Sequence, residues 1–163
     1  MANEEHLALL KRSLAAMDGL QAWNEWRRTT GVRADLSGAN LEGAVLHRAD
    51  FYVANLSGAN LHKADLSSAI LIKADLRKAD LSEANLRGAD LSVANLRRTN
   101  LYKSDFNGAY VEGTQIRGAN LDGVKGLWFS RFITANGPLG VFRVVLSYMF
   151  KLPWTQPQVD KSE

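Results

Sequence analysis

Every fifth residue from Leu36 to Leu121 is a large apolar side chain, and the register is never broken. Leu occupies 14 of these 18 places, Ala stands two residues earlier in 15, and Asp or Asn stands directly before in 14. We call the five places of the repeat the alanine, Asx (Asp or Asn), leucine, first turn and second turn positions. A period of five fits neither an α-helix nor a plain β-strand, so the repeat itself must determine the fold.

The chemistry of the five positions predicts a solenoid. A large apolar residue at every fifth place has to be buried, and Ala is small enough to share that interior. In an extended segment the alanine and leucine positions point to one face. Ser, Gly and charged residues at the turn positions, as in Leu36-Ser37-Gly38, supply tight turns and solvent-facing surface. Short sides joined by turns would stack as coils that pair through backbone hydrogen bonds about 4.8 Å apart.

Units such as Ala59-Asn60-Leu61-His62-Lys63 and Ala79-Asp80-Leu81-Ser82-Glu83 resemble the pentapeptide repeat family. The resemblance covers residues 34–123, and the segment before it, residues 22–27, is similar to leader segments of bacterial, especially cyanobacterial, members. The family resemblance implies an all-β solenoid, a right-handed quadrilateral β-helix with one pentapeptide per side and four per coil. The repeats would then form about 4.5 coils, a rod of roughly 20 Å.

Both ends of such a rod expose apolar side chains and unpaired backbone groups, so each end needs a cover. Near the N-terminus, Leu7, Leu10 and Leu14 recur at helical spacing. Near the C-terminus, Pro138 can open a helix that Pro153 ends. We therefore expect an N-terminal helical cap in residues 1–33, the β-helix in residues 34–123, and a C-terminal helix with a tail in residues 124–163.

The sequence offers no catalytic or metal-binding constellation. Cysteine is absent, so no disulfide, thiolate nucleophile or cysteine-based metal site can form. The three histidines share no ligand-like spacing and are expected to be surface residues without a role: His6, His47 and His62. Stacked Asx positions are expected to form a hydrogen-bond ladder along Asn40, Asn60, Asp80, Asn100 and Asn120. Because a convex rod provides no enclosed site, we predict a protein that is not an enzyme and uses no cofactor or metal.

Charge and hydropathy further limit the function. The net charge is +3, and residues 34–123 hold ten basic and eleven acidic residues, which argues against binding to nucleic acid. The N-terminus carries acids instead of the basic stretch of a secretory signal. The apolar stretch Leu139–Phe150 is shorter than the roughly 20 residues that a membrane-spanning helix needs. We expect a cytoplasmic protein.

One side of the predicted rod carries apolar residues at outward positions where polar residues are usual. Taking every fourth repeat groups them as a candidate protein-binding surface: Tyr52, Val53, Ile70, Ile72, Val93 and Tyr110. Clustered apolar groups on a convex surface indicate that something covers them. One alternative is that the Trp-rich leader or the C-terminal helix folds back over this side. The other is a homodimer or another protein contact.

The next side carries a basic stripe: Arg77, Lys78, Arg97, Arg98 and Arg117. Asp35 and Asp75 stand in the Asx positions of the same side. The stripe is either a solvated face partly neutralised by those acids or a candidate surface for an anionic partner.

The predicted C-terminal helix is apolar nearly all round, although a cap needs only one apolar face. Its candidate dimer or cap contacts are Phe142, Val145, Leu146 and Met149. An end-to-end homodimer is favoured. A membrane-surface anchor, with Arg143 and Lys151 near the headgroups, is weaker because the polar face is poorly developed. A plain cap is the third alternative.

These features favour a non-enzymatic scaffold that binds a protein partner of unknown identity. Some members of the resembled family mimic B-form DNA in size and charge and inhibit DNA gyrase. Those members are long and strongly acidic, whereas this chain is short and near neutral in its repeats. A gyrase-interacting protein is therefore the alternative, together with a module that binds an anionic membrane or nucleic-acid surface.

Overall fold

The computed structural model describes residues 2–16 and 19–127. Two helices come first, α1 at Glu4–Ala15 and α2 at Gln21–Thr30, and parallel β-bridges follow between residues 35 and 125. The predicted C-terminal helix lies outside the described residues, and with it the candidate contacts Phe142, Val145, Leu146 and Met149.

The two helices begin and end at residues suited to those places. The side chain of Asn3 caps α1 by accepting the backbone N–H groups of Glu5 and His6 at 3.0 and 3.2 Å. α2 is followed by Gly31, whose φ of 61° lies in the left-handed region that commonly ends a helix. Leu10 of α1 and Trp23 of α2 are fully buried, so both helices contribute to the core.

Most bridges join Asx positions twenty residues apart, as in Asn60 and Asp80. Twenty residues are four pentapeptides, so each coil has four sides, which we name after their first leucine positions: the Leu36, Leu41, Leu46 and Phe51 sides. One residue per side has bridge geometry, because two of the five positions form a turn. The described residues therefore contain isolated bridges instead of the continuous strands that an all-β fold would suggest.

Neighbouring coils are joined by the same three backbone hydrogen bonds on nearly every side. On the Leu41 side, Leu61 and Lys63 donate to the carbonyls of Asp80 and Ser82 at 2.7 and 2.9 Å. Asp80 donates back to the carbonyl of Ala59 at 2.9 Å. This regular exchange satisfies backbone groups that burial would otherwise leave unpaired.

The core is a continuous stack of leucine and alanine positions. Leu56, Leu61 and Leu66 are fully buried, as are the Phe residues at 51 and 106. Three alanine positions hold hydroxyl residues, and each hydroxyl donates to a backbone carbonyl: Thr99 to Leu76, Ser104 to Leu101 and Thr114 to Leu91, at 2.7 to 2.9 Å. The stack therefore accepts these polar side chains without leaving a buried hydroxyl unpaired.

The helices lie on the open edge of the first coil. Trp23 Nε1 donates to the carbonyl of Asp50 at 2.9 Å, and the amide of Asn24 bonds the Asp50 N–H and the Arg48 carbonyl. His6 Nδ1 accepts the N–H of Asp35 at 3.1 Å. In later coils the Asx N–H groups and carbonyls are paired by the neighbouring coil, so α1 and α2 replace a missing coil at the Leu36 and Phe51 sides.

The histidines have structural contacts, which corrects the expectation that they have no role; His47 is exposed as expected, and His6 and His62 are half-buried. His6 joins α1 to the first coil through the N–H of Asp35. His47 Nδ1 lies 2.8 Å from Ser67 Oγ, and His62 Nδ1 lies 2.9 Å from Ser82 Oγ. Each of these pairs is twenty residues apart, so both histidines tie one coil to the next.

Candidate protein-interaction surface

Asp and Asn residues hold the turns on most of the rod. At every Asx position that contains one of them, Oδ1 accepts the N–H of the first turn position; Asp80 accepts from Ser82 at 2.9 Å. This is the side-chain turn that favours Asp and Asn at such places. The Asp or Asn side chain thus stabilises the turn of its own repeat.

The predicted ladder along the Leu41 side is confirmed at three of its four steps. Asn60 donates to Asn40, Asn100 to Asp80 and Asn120 to Asn100, at 3.0 to 3.2 Å. No such bond joins Asp80 to Asn60, because an ionised carboxylate in the later coil has no hydrogen to donate. The ladder therefore needs Asn in the later coil.

The Phe51 side brings together the predicted apolar residues. Four of them are 40 to 56% exposed, namely Tyr52, Ile70, Val93 and Tyr110, while Val53 and Ile72 are half-buried. Bridges join Asp50 to Ile70, Ile70 to Asp90, and Asp90 to Tyr110, which places these residues in one column. Among the described residues, exposed large apolar side chains are therefore concentrated on the Phe51 side, while Val45 and Tyr102 are single exposed apolar residues on the Leu46 and Leu41 sides.

Two of these residues replace the turn-holding Asp or Asn. Ile70 and Tyr110 occupy Asx positions, and within residues 2–16 and 19–127 no side chain accepts the N–H of Ile72 or Glu112. A hydrogen bond of this kind contributes about 0.5–1.5 kcal/mol to stability. At Ile70 and Tyr110 the Phe51 side therefore lacks a stabilising hydrogen bond and exposes a large apolar side chain instead.

Two more departures lie at the second turn positions of the same side. Val53 and Val93 have φ of 57° and 61°, in the left-handed region that β-branched residues rarely adopt. The third residue of a type II turn needs this conformation, and the other second turn positions hold Gly, Lys, Arg, Ser or Glu. The Phe51 side thus has four departures, whereas the Leu46 and Leu36 sides have one each at Asx positions, Val45 and Gln115. Local rules broken repeatedly on one side of a regular fold are typical of a functional surface.

The Trp-rich leader does not cover the Phe51 side. α2 lies on the end of the first coil, where Trp23 and Asn24 bond backbone atoms of Arg48 and Asp50. Tyr52 remains 43% exposed beside it. The alternative cover, the C-terminal helix, lies outside the described residues.

Val32 extends the apolar surface beyond the predicted residues. The guanidinium of Arg27 donates to the backbone carbonyls of both Val32 and Tyr52, and Val32 is 45% exposed. Burial lowers the pKa of Arg27, and the nearby charge of Asp50 opposes that shift. Val32 therefore lies next to Tyr52, where a preceding coil would place it.

A groove lies where Val32 meets the helices. It has a volume of about 630 Å³ and is lined by Glu5, His6, Ala8, Leu9, Arg12, Trp26 and Val32. The rings of His6 and Trp26 are 5.0 Å apart, which fixes one wall. Because Val32 belongs to the groove and also borders Tyr52, the groove and the Phe51 side form one continuous surface.

The basic stripe lies on the Leu36 side, and all five of its residues are exposed. Arg77 pairs with Asp75 at 2.6 Å; this contact lowers the pKa of the Asp75 carboxyl and raises the pKa of Arg77. Among the described residues, the other four have no ion pair: Lys78, Arg97, Arg98 and Arg117. The acids of this side thus neutralise one cation of the stripe.

In the described part of the chain, no three His, Asp or Glu side chains are grouped so that they could hold a metal ion. Neither described helix is long and apolar enough to cross a membrane.

The family model for pentapeptide repeats matches residues 32–67, 59–97 and 84–123 with eight copies. A pentapeptide repeat protein from the Arabidopsis thaliana thylakoid lumen is 38% identical; the match covers 69% of this chain and 73% of that one, with a TM-score of 0.57. A pentapeptide repeat protein from Nostoc PCC 7120 is 44% identical, over 48% of this chain and 64% of that one, with a TM-score of 0.46. QnrB1, a plasmid-mediated fluoroquinolone resistance protein, is 27% identical, over 54% and 46% of the two chains, with a TM-score of 0.38. No match was found among curated proteins.

Proposed function

Because the chain belongs to the pentapeptide repeat family, we propose that it is a non-enzymatic scaffold that binds a protein partner through its Phe51 side. Proteins of this family are generally structural or interaction scaffolds, with right-handed quadrilateral β-helices as their fold. The spacing of twenty residues between bridged positions agrees with that fold.

One observation carries the proposal. The Phe51 side exposes four large apolar side chains at outward positions that hold polar residues or glycine on most of the rod. Exposed apolar groups that cluster on one face are typical of a binding surface. The regular hydrogen bonds between coils hold this face rigid, so little conformational entropy is lost when it binds.

Ile70→Asn tests the proposal without harming the fold. Asparagine would accept the N–H of Ile72 and donate to Asp50 Oδ1, as Asn100 donates to Asp80 at 3.0 Å. The variant should therefore be at least as stable as the wild type while it lacks the apolar contact. We expect capture of the partner from a lysate of the native host, quantified by mass spectrometry, to fall by at least about tenfold.

Val45→Asn is the matched control. Val45 is also an apolar residue at an Asx position and is 67% exposed, but it lies on the Leu46 side. This variant should capture the partner as the wild type does. If Ile70→Asn still captures the partner, or if both variants lose it equally, the Phe51 side is not the binding surface.

The alternative roles have less support. With ten basic and eleven acidic residues in 34–123, the repeats lack the strong negative charge expected of a DNA mimic, so a gyrase-interacting role is the lesser proposal. An end-to-end homodimer through the C-terminal helix depends on residues outside the described part and also stays a prediction.

A further inference from the structure

The two edges of the Phe51 side carry opposite charges. Along the edge shared with the Leu36 side, cations alternate with valines in the order Arg33, Val53, Lys73 and Val93. Along the opposite edge, acids alternate with apolar residues in the order Asp50, Ile70, Asp90 and Tyr110. A partner on this side therefore meets an apolar centre with cations on one edge and carboxylates on the other.

The cations of the shared edge are available for a partner. Arg33 and Lys73 are exposed, and neither has an ion pair among the described residues. Arg33 Nε donates to the carbonyl of Val53 at 3.1 Å, which holds it at this edge. Beyond the edge lie the unpaired cations of the basic stripe: Lys78, Arg97, Arg98 and Arg117.

The carboxylates of the opposite edge already have backbone partners. Asp50 accepts the N–H of Tyr52 at 2.9 Å, and Asp90 accepts the N–H of Ser92 at 2.9 Å. They are less available to a ligand, yet their charge still repels an anion that covers the whole face. The charge pattern thus favours a partner with carboxylates on one flank only.

This pattern distinguishes between anionic partners. A nucleic acid presents phosphates and offers no apolar side chains to cover Tyr52, Ile70 and Ile72. An anionic membrane surface presents negative charge to both edges at once, including Asp50 and Asp90. A protein segment can place apolar side chains at the centre and carboxylates on a single flank.

We propose that the partner is an acidic segment of another protein, whose apolar side chains pack on the Phe51 side while its carboxylates pair with the cations of the shared edge. This inference rests on the proposed function. The apolar contact runs along Val32, Tyr52 and Ile72, which follow one another at intervals of twenty residues. Arg33 directly follows Val32 and Lys73 directly follows Ile72, so alternate coils offer a cation beside an apolar contact.

A library of random 16-residue peptides displayed on phage, selected against the full chain, tests the partner's chemistry. We expect the selected peptides to be enriched in Asp, Glu and large apolar residues relative to the unselected library. The affinity of one selected peptide is then measured by fluorescence anisotropy for the wild type and for variants. Enrichment in Lys and Arg would overturn the inference.

Lys73→Glu and Lys103→Glu form a matched pair. Both lysines are exposed residues at second turn positions, with φ of 57° and 56°, but Lys103 lies on the Leu41 side. Lys73→Glu should weaken the selected peptide by about tenfold or more at low salt, with a smaller effect at high salt. Lys103→Glu should change the affinity less than about twofold. Equal effects of the two variants would overturn the inference.

The combination with Ile70→Asn separates the two proposals. Loss of peptide binding in both Ile70→Asn and Lys73→Glu supports the acidic, apolar segment. Loss in Ile70→Asn alone overturns the inference and leaves the proposed function intact. Loss in Lys73→Glu alone overturns the apolar contact. Tighter binding of phosphatidylglycerol vesicles or a 20-base-pair DNA than of the peptide overturns the choice of a protein partner.

Discussion

The indole N–H of Trp23 donates to the backbone carbonyl of Asp50 at 2.9 Å, and this bond fixes α2 on the first coil. The ring is fully buried, and its centroid lies 5.8 Å from that of Phe51. A single side chain thus satisfies a carbonyl at the open edge of the solenoid and covers the end of its apolar core. The leader can therefore close this end of the rod without adding a coil.

Trp23→Phe should lower the free energy of unfolding by about 1–3 kcal/mol, because it leaves the Asp50 carbonyl without its partner in a partly buried place. Urea unfolding followed by circular dichroism measures the change. Trp26→Phe is the control, since Trp26 is only half-buried and its indole N–H makes no hydrogen bond in the described structure. Equal losses in the two variants would contradict the role assigned to Trp23.

Acid should destabilise the fold through Asp75. The hydrogen bonds from Arg77 hold the pKa of this carboxyl below its ordinary value of 3.8 in the folded protein. A lowered folded-state pKa gives stability that is present above the ordinary value and is lost as the pH falls through the folded value. The free energy of unfolding should therefore decrease below about pH 4.

Asp75→Asn isolates that contribution. The difference in unfolding free energy between wild type and variant should be largest at neutral pH and should shrink as the pH falls below 4. Because Arg77 is exposed, added salt should also reduce the difference. A difference that does not change between pH 7 and pH 2 would show that the ion pair contributes nothing to stability.

The interior of the solenoid could be predicted from the sequence, because the period of five directly sets which residues are buried. The leucine and alanine positions of the middle coils, such as Leu61 and Ala64, are fully buried as expected. The grouping of Tyr52 with Ile70 on one side also followed from counting repeats by four. Such features repeat with the chain, so spacing alone reveals them.

Features that depend on how the leader docks could not be predicted. Nothing in the spacing of α2 indicates that Arg27 is buried and bonds the carbonyls of Val32 and Tyr52. The position of Val32 next to Tyr52 could have been predicted, because the two residues are twenty apart. Val32, however, precedes Leu36, the first residue of the repeat pattern. The sequence places Asp75 and five cations on the same side, but it does not indicate that Arg77 is the cation that pairs with Asp75.

Tyr110→Asn should raise the free energy of unfolding by about 0.5–1.5 kcal/mol. Asparagine at this Asx position would accept the N–H of Glu112 and donate to Asp90 Oδ1, restoring the bonds that the rest of the rod uses. Thermal unfolding by calorimetry measures the gain. Tyr102→Asn is the control: Tyr102 is similarly exposed but occupies a first turn position. Asn107, at the same position of the Leu46 side, donates to Asp105 of its own repeat and bonds neither a turn N–H nor the preceding coil. A gain of equal size in Tyr102→Asn would mean that loss of exposed aromatic surface, not the turn, is responsible.

Val93→Gly should also stabilise the fold, because glycine adopts the φ of 61° without the steric cost that a β-branched residue has there. We expect an increase of about 1 kcal/mol in the free energy of unfolding, measured in urea. The reverse change at the same position of another side, Gly58→Val, should destabilise by a similar amount; Gly58 has φ of 67° and open space around it.

Because Val93 is 49% exposed on the Phe51 side, Val93→Gly should at the same time weaken partner capture. A variant that gains stability and keeps full capture would show that Val93 lies outside the contact, whereas a loss of stability would contradict the strain assigned to this turn.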